Sequence, residues 1–156
     1  MIKIIVARLD VNGIDIAGTE KPSFLGLEES PLLKCEQDIS YNLHVSLVNG
    51  GVLVQGSIKA VFDAVCCRCL ESFELEIANS GVCHYYEAAT ERELDISGDL
   101  REDILVDIPQ NYICSEDCRG LCQLCGNNLN VKTCSCREDA PVNDVWKNLD
   151  DLDVER

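Results

Sequence analysis

Hydrophobic and polar residues alternate most cleanly between Ile39 and Ile77. Ile39, Tyr41, Leu43, Val45 and Leu47 interleave with Ser40, Asn42, His44 and Ser46, the period of a half-buried strand. Asn49-Gly50 follows, a dipeptide suited to the positive φ angles of a tight hairpin. The return strand places Val52, Val54, Ile58, Ala60, Phe62 and Ala64 against Gln55, Ser57, Lys59 and Asp63. A third strand sets Phe73, Leu75 and Ile77 against Ser72, Glu74 and Glu76, and continues after Gly81 through Val82, His84 and Tyr86. The pattern predicts an antiparallel sheet, mainly β or α+β in class. Its inner face needs no metal to form a core.

The flanks are less regular. Residues 2–9 are rich in β-branched side chains and predict a first strand, closed by a turn at Asn12-Gly13. Residues 17–37 carry Gly18, Pro22, Gly26 and Pro31 and read as a long irregular connection. Asp99 to Ile108 predicts a short helix: Asp99 as cap, Glu102 completing a capping box, Leu100, Ile104 and Ile108 on one stripe, Pro109 as the stop. Val142, Val145, Trp146, Leu149 and Leu152 predict a final helix. The division expected is a β domain over residues 1–112 with its helix at 99–108, then a cysteine-rich metal-binding module and C-terminal helix over 113–156.

Charge changes the picture. The 156 residues carry a formal net charge of −15, with eight acidic residues between Glu87 and Asp107. Such a surface repels phosphate backbones within the screening length and attracts basic proteins. The opening residues lack the apolar run of a signal peptide, and no stretch has transmembrane length. The expectation is a cytoplasmic protein that does not engage membranes.

Chemistry concentrates in the cysteines. Six of the eleven, Cys114, Cys118, Cys122, Cys125, Cys134 and Cys136, fall in one short stretch. Cys122-x2-Cys125-Gly126 has the form of a zinc knuckle, in which two thiolates grip one ion from a single turn. The tetrahedron is closed either by Cys114 with Cys118 or by Cys134 with Cys136; spacing leaves both open. Four of these six for one zinc is the expectation. Cys66 and Cys69, at the apex predicted between two strands, are a candidate second pair. Disulfides, an iron–sulfur cluster and a thioredoxin-like redox pair are the competing uses. Cys35, Cys67 and Cys83 read as buried apolar thiols, His44 as solvent-facing and His84 as core. No phosphate-binding Gly-rich loop, nucleophile elbow or His–carboxylate metal motif is present, so no catalytic residue and no small-molecule substrate is assigned.

The order of these features carries a resemblance. A C-x2-C-L-E-x-F hairpin (Cys66 to Phe73) precedes a D-L-x-E-x-I-L-x-x-I-P helix (Asp99 to Pro109). The tail then reads C-x3-C-x-G-L-C-x2-C-G-x-N-L-N-x3-C-x-C (Cys114 to Cys136). Over residues 39–136 this resembles the YceD family of bacterial and plastid proteins associated with accumulation of large-subunit ribosomal RNA. The resemblance implies a non-enzymatic factor in rRNA accumulation or ribosome assembly. Joined to the charge, it points to a basic ribosomal protein or assembly factor as partner. Arg119, Lys132, Arg137 and Trp146 are the candidate partner-binding residues. Two rivals stand beside this reading: an RNA binder that uses the knuckle directly, with Arg119, Lys132 and Arg137 as local cations, and a thiol-dependent redox or RNA-processing enzyme using Cys67 beside Arg68.

Overall fold

A computed structural model describes residues 1–9, 12–27, 30–87 and 93–136. Its largest unit is an antiparallel sheet of β2 (Ile14–Glu20), β3 (Leu33–Lys34), β4 (Ile39–Val48), β5 (Gly51–Val65) and β6 (Ser72–Tyr86). β5 is central: it pairs with β4 and β3 on one side and with β6 on the other, while β2 adds outside β4. The β4–β5 turn is built by Asn49 and Gly50, both at positive φ. β1 (Lys3–Ile5) pairs separately with β7 (Glu93–Asp95), and α1 spans Ser97–Asp107.

The alternation read from the sequence is the one that builds the core. Leu43, Val45, Val52, Val54, Ile58, Ala60 and Phe62 are buried on one face of the sheet. Leu100 and Ile104 of α1, Ile2 and Ile4 around β1, and Leu25 join the same cluster. Burying each such aliphatic or aromatic side chain contributes roughly 1.5–3 kcal/mol, so this face dominates the stability of the sheet. A second, smaller cluster gathers Cys66, Cys69 and Cys118, with Phe73 and Ile113 against it.

Several expectations are corrected. Only Lys3–Ile5 of residues 2–9 is strand; Val6–Arg8 turns into a 3-10 helix, because a strand extends only as far as its partner, here the three residues of β7. The supposed irregular connection begins inside β2. Gly18 is tolerated there because it lies beneath the ring of its cross-strand partner Tyr41, with no room for a Cβ. The helix starts at Ser97 rather than Asp99, and its N-cap, Ile96, makes no side-chain cap bond. Asp95 instead accepts the Ser97 N–H (3.0 Å), and Asp99 accepts from the Tyr86 hydroxyl. His84 is half-buried, and its Nε2 lies 2.8 Å from Asp103 of α1, fastening helix to sheet rather than filling the core. Cys67 is exposed on a turn and Cys83 on the outer face of β6, while Cys35, just after β3, is half-buried against the edge of the core. His44 is exposed, with Nδ1 at 2.6 Å from Asp15. The final helix predicted over Val142 to Leu152 lies outside the described residues, as do Arg137 and Trp146.

Candidate metal centres

β5 and β6 run past the end of β4 and meet in a tight turn, Cys66-Cys67-Arg68-Cys69-Leu70. The Leu70 N–H donates to the Cys66 carbonyl (2.9 Å), and the Cys66 N–H donates to the Glu71 carbonyl (2.9 Å). Leu70 takes φ +60° to close this turn. The same construction recurs at Cys122-Gln123-Leu124-Cys125-Gly126. There Gly126 donates to the Cys122 carbonyl (2.8 Å), Cys122 donates to the Asn127 carbonyl (2.8 Å), and Gly126 has φ +72°. The flanking pair Val65–Ser72 of the first turn has its counterpart in the single bridge Leu121–Asn128 of the second.

Each turn receives two more thiols. Cys114 and Cys118 come to the first, giving the tetrad Cys66, Cys69, Cys114, Cys118; Cys134 and Cys136 come to the second, giving Cys122, Cys125, Cys134, Cys136. Within each tetrad all sulfurs lie within 4.8 Å of one another. A tetrahedral ion at about 2.3 Å from each thiolate sets its sulfurs about 3.8 Å apart. Cys66–Cys118 at 3.8 Å and Cys69–Cys114 at 3.7 Å match that edge; Cys122–Cys134 at 3.3 Å is slightly inside it. Such spacing has room for one ion per tetrad and none for an inorganic cluster core. It is also much wider than the roughly 2 Å of a disulfide. All six cysteines of the tail are therefore ligand candidates, divided between two centres, and Cys66 with Cys69 completes the first.

The surroundings favour thiolate at Cys66, Cys118 and Cys122 and the protonated thiol at Cys69, Cys114 and Cys136. Burial raises the Cys66 pKa, but the backbone N–H groups of Cys114, Cys69 and Arg68 and the Cys69 thiol outweigh it, leaving a value of about 6. Cys122 is brought down to about 6 by the N–H groups of Cys125 and Leu124 and by the Cys134 thiol. The donors two and three residues after the first cysteine are thus the same in both turns. Cys118 is lowered, first by the Asn130 side-chain amide, which donates to its sulfur at 3.3 Å. Cys114 is pushed up to about 12 by desolvation and its neighbouring thiols, and Cys136 to about 12 by Cys125 and desolvation. Four thiols this close cannot all ionise without a cation among them, and a divalent ion supplies that charge.

The basic residues divide. Arg119 and Lys132 are exposed on the same segment as the ligands. Arg68 is committed internally: its guanidinium donates to the carbonyls of Glu116 and Cys118, both at 3.3 Å. Reading the sequence for cations and loop-formers missed the structural work of Arg68 and Asn130. Asn130 sits in the N-L-N run after the second knuckle, and that run is the signal that could have flagged it. No helix among the described residues is long and apolar enough to cross a membrane.

An uncharacterised protein of Mycobacterium tuberculosis is 30% identical over 122 residues, 67% of this chain and 58% of the relative. The chain thus spans less than two thirds of the length of such relatives. A maize protein described as large ribosomal RNA subunit accumulation protein YCED homolog 1, chloroplastic, is 40% identical over 50 residues, 31% of this chain and 17% of its own length. Its Arabidopsis thaliana counterpart is 40% identical over 45 residues, 29% and 14%. No solved structure matches significantly. The family model described as "Large ribosomal RNA subunit accumulation protein YceD" matches residues 84–153, which hold six of the eight tetrad cysteines and leave the Cys66–Cys69 turn upstream. The likeness of this chain to the YceD family is thus carried by residues 84–153, under half of its length.

Proposed function

We propose that this chain is a non-enzymatic factor that supports accumulation of large-subunit ribosomal RNA, acting through a protein module built on two Zn(Cys)4 centres. The observation that carries the reading is the coincidence of the family match with the tetrads: the matched residues include every ligand except Cys66 and Cys69. Zinc is the preferred ion because four thiolates in a tetrahedron suit it and leave no open position for substrate. Both centres are closed, so their chemistry is structural. Each holds a segment of few apolar residues in one conformation, and the metal replaces the core that segment lacks.

The partner follows from charge. At −15, deepened by two formal negative charges at each loaded centre, the surface steers basic proteins and repels bare RNA. Acidic residues of α1 and β6, such as Glu102, Asp107, Glu74 and Glu76, are exposed. A basic ribosomal protein or assembly factor is the occupant this surface fits. Direct RNA contact is the second reading, resting on the exposure of Arg119 and Lys132 beside the centres.

The test is affinity capture of the full chain from lysate with and without nuclease, alongside measurement of large- against small-subunit rRNA in cells lacking the protein. A selective fall in large-subunit rRNA, with basic ribosomal proteins retained after nuclease, supports the reading. Unchanged rRNA overturns the role. Loss of every ribosomal component after nuclease, with purified rRNA binding at physiological salt, transfers the interaction to RNA.

A further inference from the structure

The two tetrads have the same turn but different footing. Cys66 and Cys69 are 0% and 3% exposed and sit at the tip of two 15-residue strands, Cys118 beside them is 7% exposed, and of the four only Cys114 is exposed. In the second tetrad Cys122 and Cys134 are half-buried, and Cys125 and Cys136 are exposed. The bonds that place the second turn reach back to the first. Leu121 N–H donates to the Arg68 carbonyl (3.0 Å), and the Asn128 side-chain amide donates to Glu71 (3.3 Å). Asn130 is the tightest link. It lies on the loop leading from the second turn to Cys134. Its Nδ2 donates to the sulfur of Cys118, a ligand of the first tetrad, and its Oδ1 accepts from the Arg119 N–H at 2.8 Å.

We propose that the two centres load in order and are coupled. The Cys66/Cys69/Cys114/Cys118 centre takes a thiophilic divalent ion first and keeps it. The Cys122/Cys125/Cys134/Cys136 centre assembles upon it as an exchangeable site, with Asn130 as the positioning residue between them. This rests on the zinc reading above. Its physical basis is direct. Metal at the first centre fixes Cys118 as thiolate, a stronger acceptor for the Asn130 amide than a thiol. That bond orders the loop between the second turn and Cys134, so the second ion meets ligands already in place. On each binding the protons still held by the four thiols pass to the buffer and four S–Zn bonds form; nothing is oxidised or reduced. Coupling is reciprocal, so the second ion tightens the first by the same factor. The first ion nevertheless binds while the second site is empty, so losing that site leaves the first binding step unchanged. The second centre has two exposed ligands and no buried one, whereas the first has three buried and one exposed, so chelators reach the second ion more readily than the first.

The test uses the reduced, metal-free full chain titrated with Zn2+ alone. Native mass spectrometry reads stoichiometry, and alkylation by iodoacetamide reads which cysteines are protected. The expected singly loaded species protects Cys66, Cys69, Cys114 and Cys118 and leaves the other tetrad reactive. EDTA then removes one ion at least about tenfold faster than the other, and Cys122→Ser lacks that fast ion and retains the slow one. Cys66→Ser weakens the second centre by about tenfold, the usual scale of such coupling. Asn130→Ala, a milder change, still binds two ions but shifts the second affinity towards the Cys66→Ser value. A singly loaded species with mixed protection, equal release rates, or an unaltered second centre in both variants overturns the order while leaving the zinc reading intact. Failure to bind any zinc overturns both.

Discussion

The two C-x2-C turns, Cys66–Leu70 and Cys122–Gly126, are one piece of local geometry in two settings. The turn-closing backbone hydrogen bonds, and the N–H donors two and three residues after the first cysteine, repeat position for position between them. The first is carried by β5 and β6 and shielded by Phe73 and Ile113. The second is carried by a single bridge and by bonds to the first. The chain also closes them differently: Cys114 and Cys118 meet the first turn from 45 and 52 residues further along, whereas Cys134 meets the second from 12. The lesson is that a knuckle specifies how a metal is gripped, while its surroundings decide how firmly. Burial and strand support are inherited from the sheet; the second site has little of either.

Metal removal should expose that difference most strongly. Chelation of the reduced protein should abolish amide-exchange protection throughout residues 112–136, a loss of the order of 10 kcal/mol of binding free energy per ion at neutral pH. Protection in β4, β5 and β6 should survive, except near the Cys66 turn. Simultaneous loss across the sheet would show that the two regions fold as one.

The opposite lesion is Phe62→Ala, which empties a fully buried position near the C-terminal end of β5. It should cost about 3–5 kcal/mol in denaturant titration. Two zinc ions should still bind under native conditions, because the turns close on their own hydrogen bonds. Loss of zinc from the first centre without global unfolding would mean that the sheet positions its ligands.

A reciprocal swap sharpens the comparison further. Leu70 holds the positive φ that Gly126 holds in the other turn, and it is 63% exposed, so it gains little by packing. Leu70→Gly should stabilise the folded protein by up to about 1 kcal/mol, as relief of left-handed strain exceeds the added chain entropy. Gly126→Leu should weaken the second centre by about 1–2 kcal/mol. Both shifts are readable in thermal unfolding of the zinc-loaded protein, and equal signs for the two would contradict the shared geometry.

The smallest effect expected lies away from both turns. Asp95 is held below the usual carboxylate range by the Ser97 hydroxyl and N–H. A depressed folded pKa contributes stability that is present above the unfolded value of about 3.9 and lost as pH falls through the folded one. Asp95→Asn should flatten the acid limb of the stability curve slightly and leave metal content unchanged. An effect on metal content would connect the β7–α1 junction to the centres.

By itself the sequence determined what depends on near neighbours. The alternation of Ile39 to Ile77 and the Asn49-Gly50 turn define a sheet face and its register, since inversion of that register would expose Leu43, Val45, Val54 and Phe62 together. The Cys122-x2-Cys125-Gly126 turn is equally local. Its twin was harder to see, because Leu70 stands where glycine signals the bend. Tertiary structure alone decided how the thiols are shared out. Cys66 meets Cys118 and Cys69 meets Cys114 across 52 and 45 residues of chain, whereas Cys122 meets Cys134 across 12. No spacing rule distinguishes those closures, because a tetrahedron requires only that four sulfurs arrive at one point. The same holds for β1, whose length is that of β7, and for His84, which the helix draws out of the core. Local pattern sets conformation; the choice among distant partners is made by whichever surfaces the sheet brings within reach.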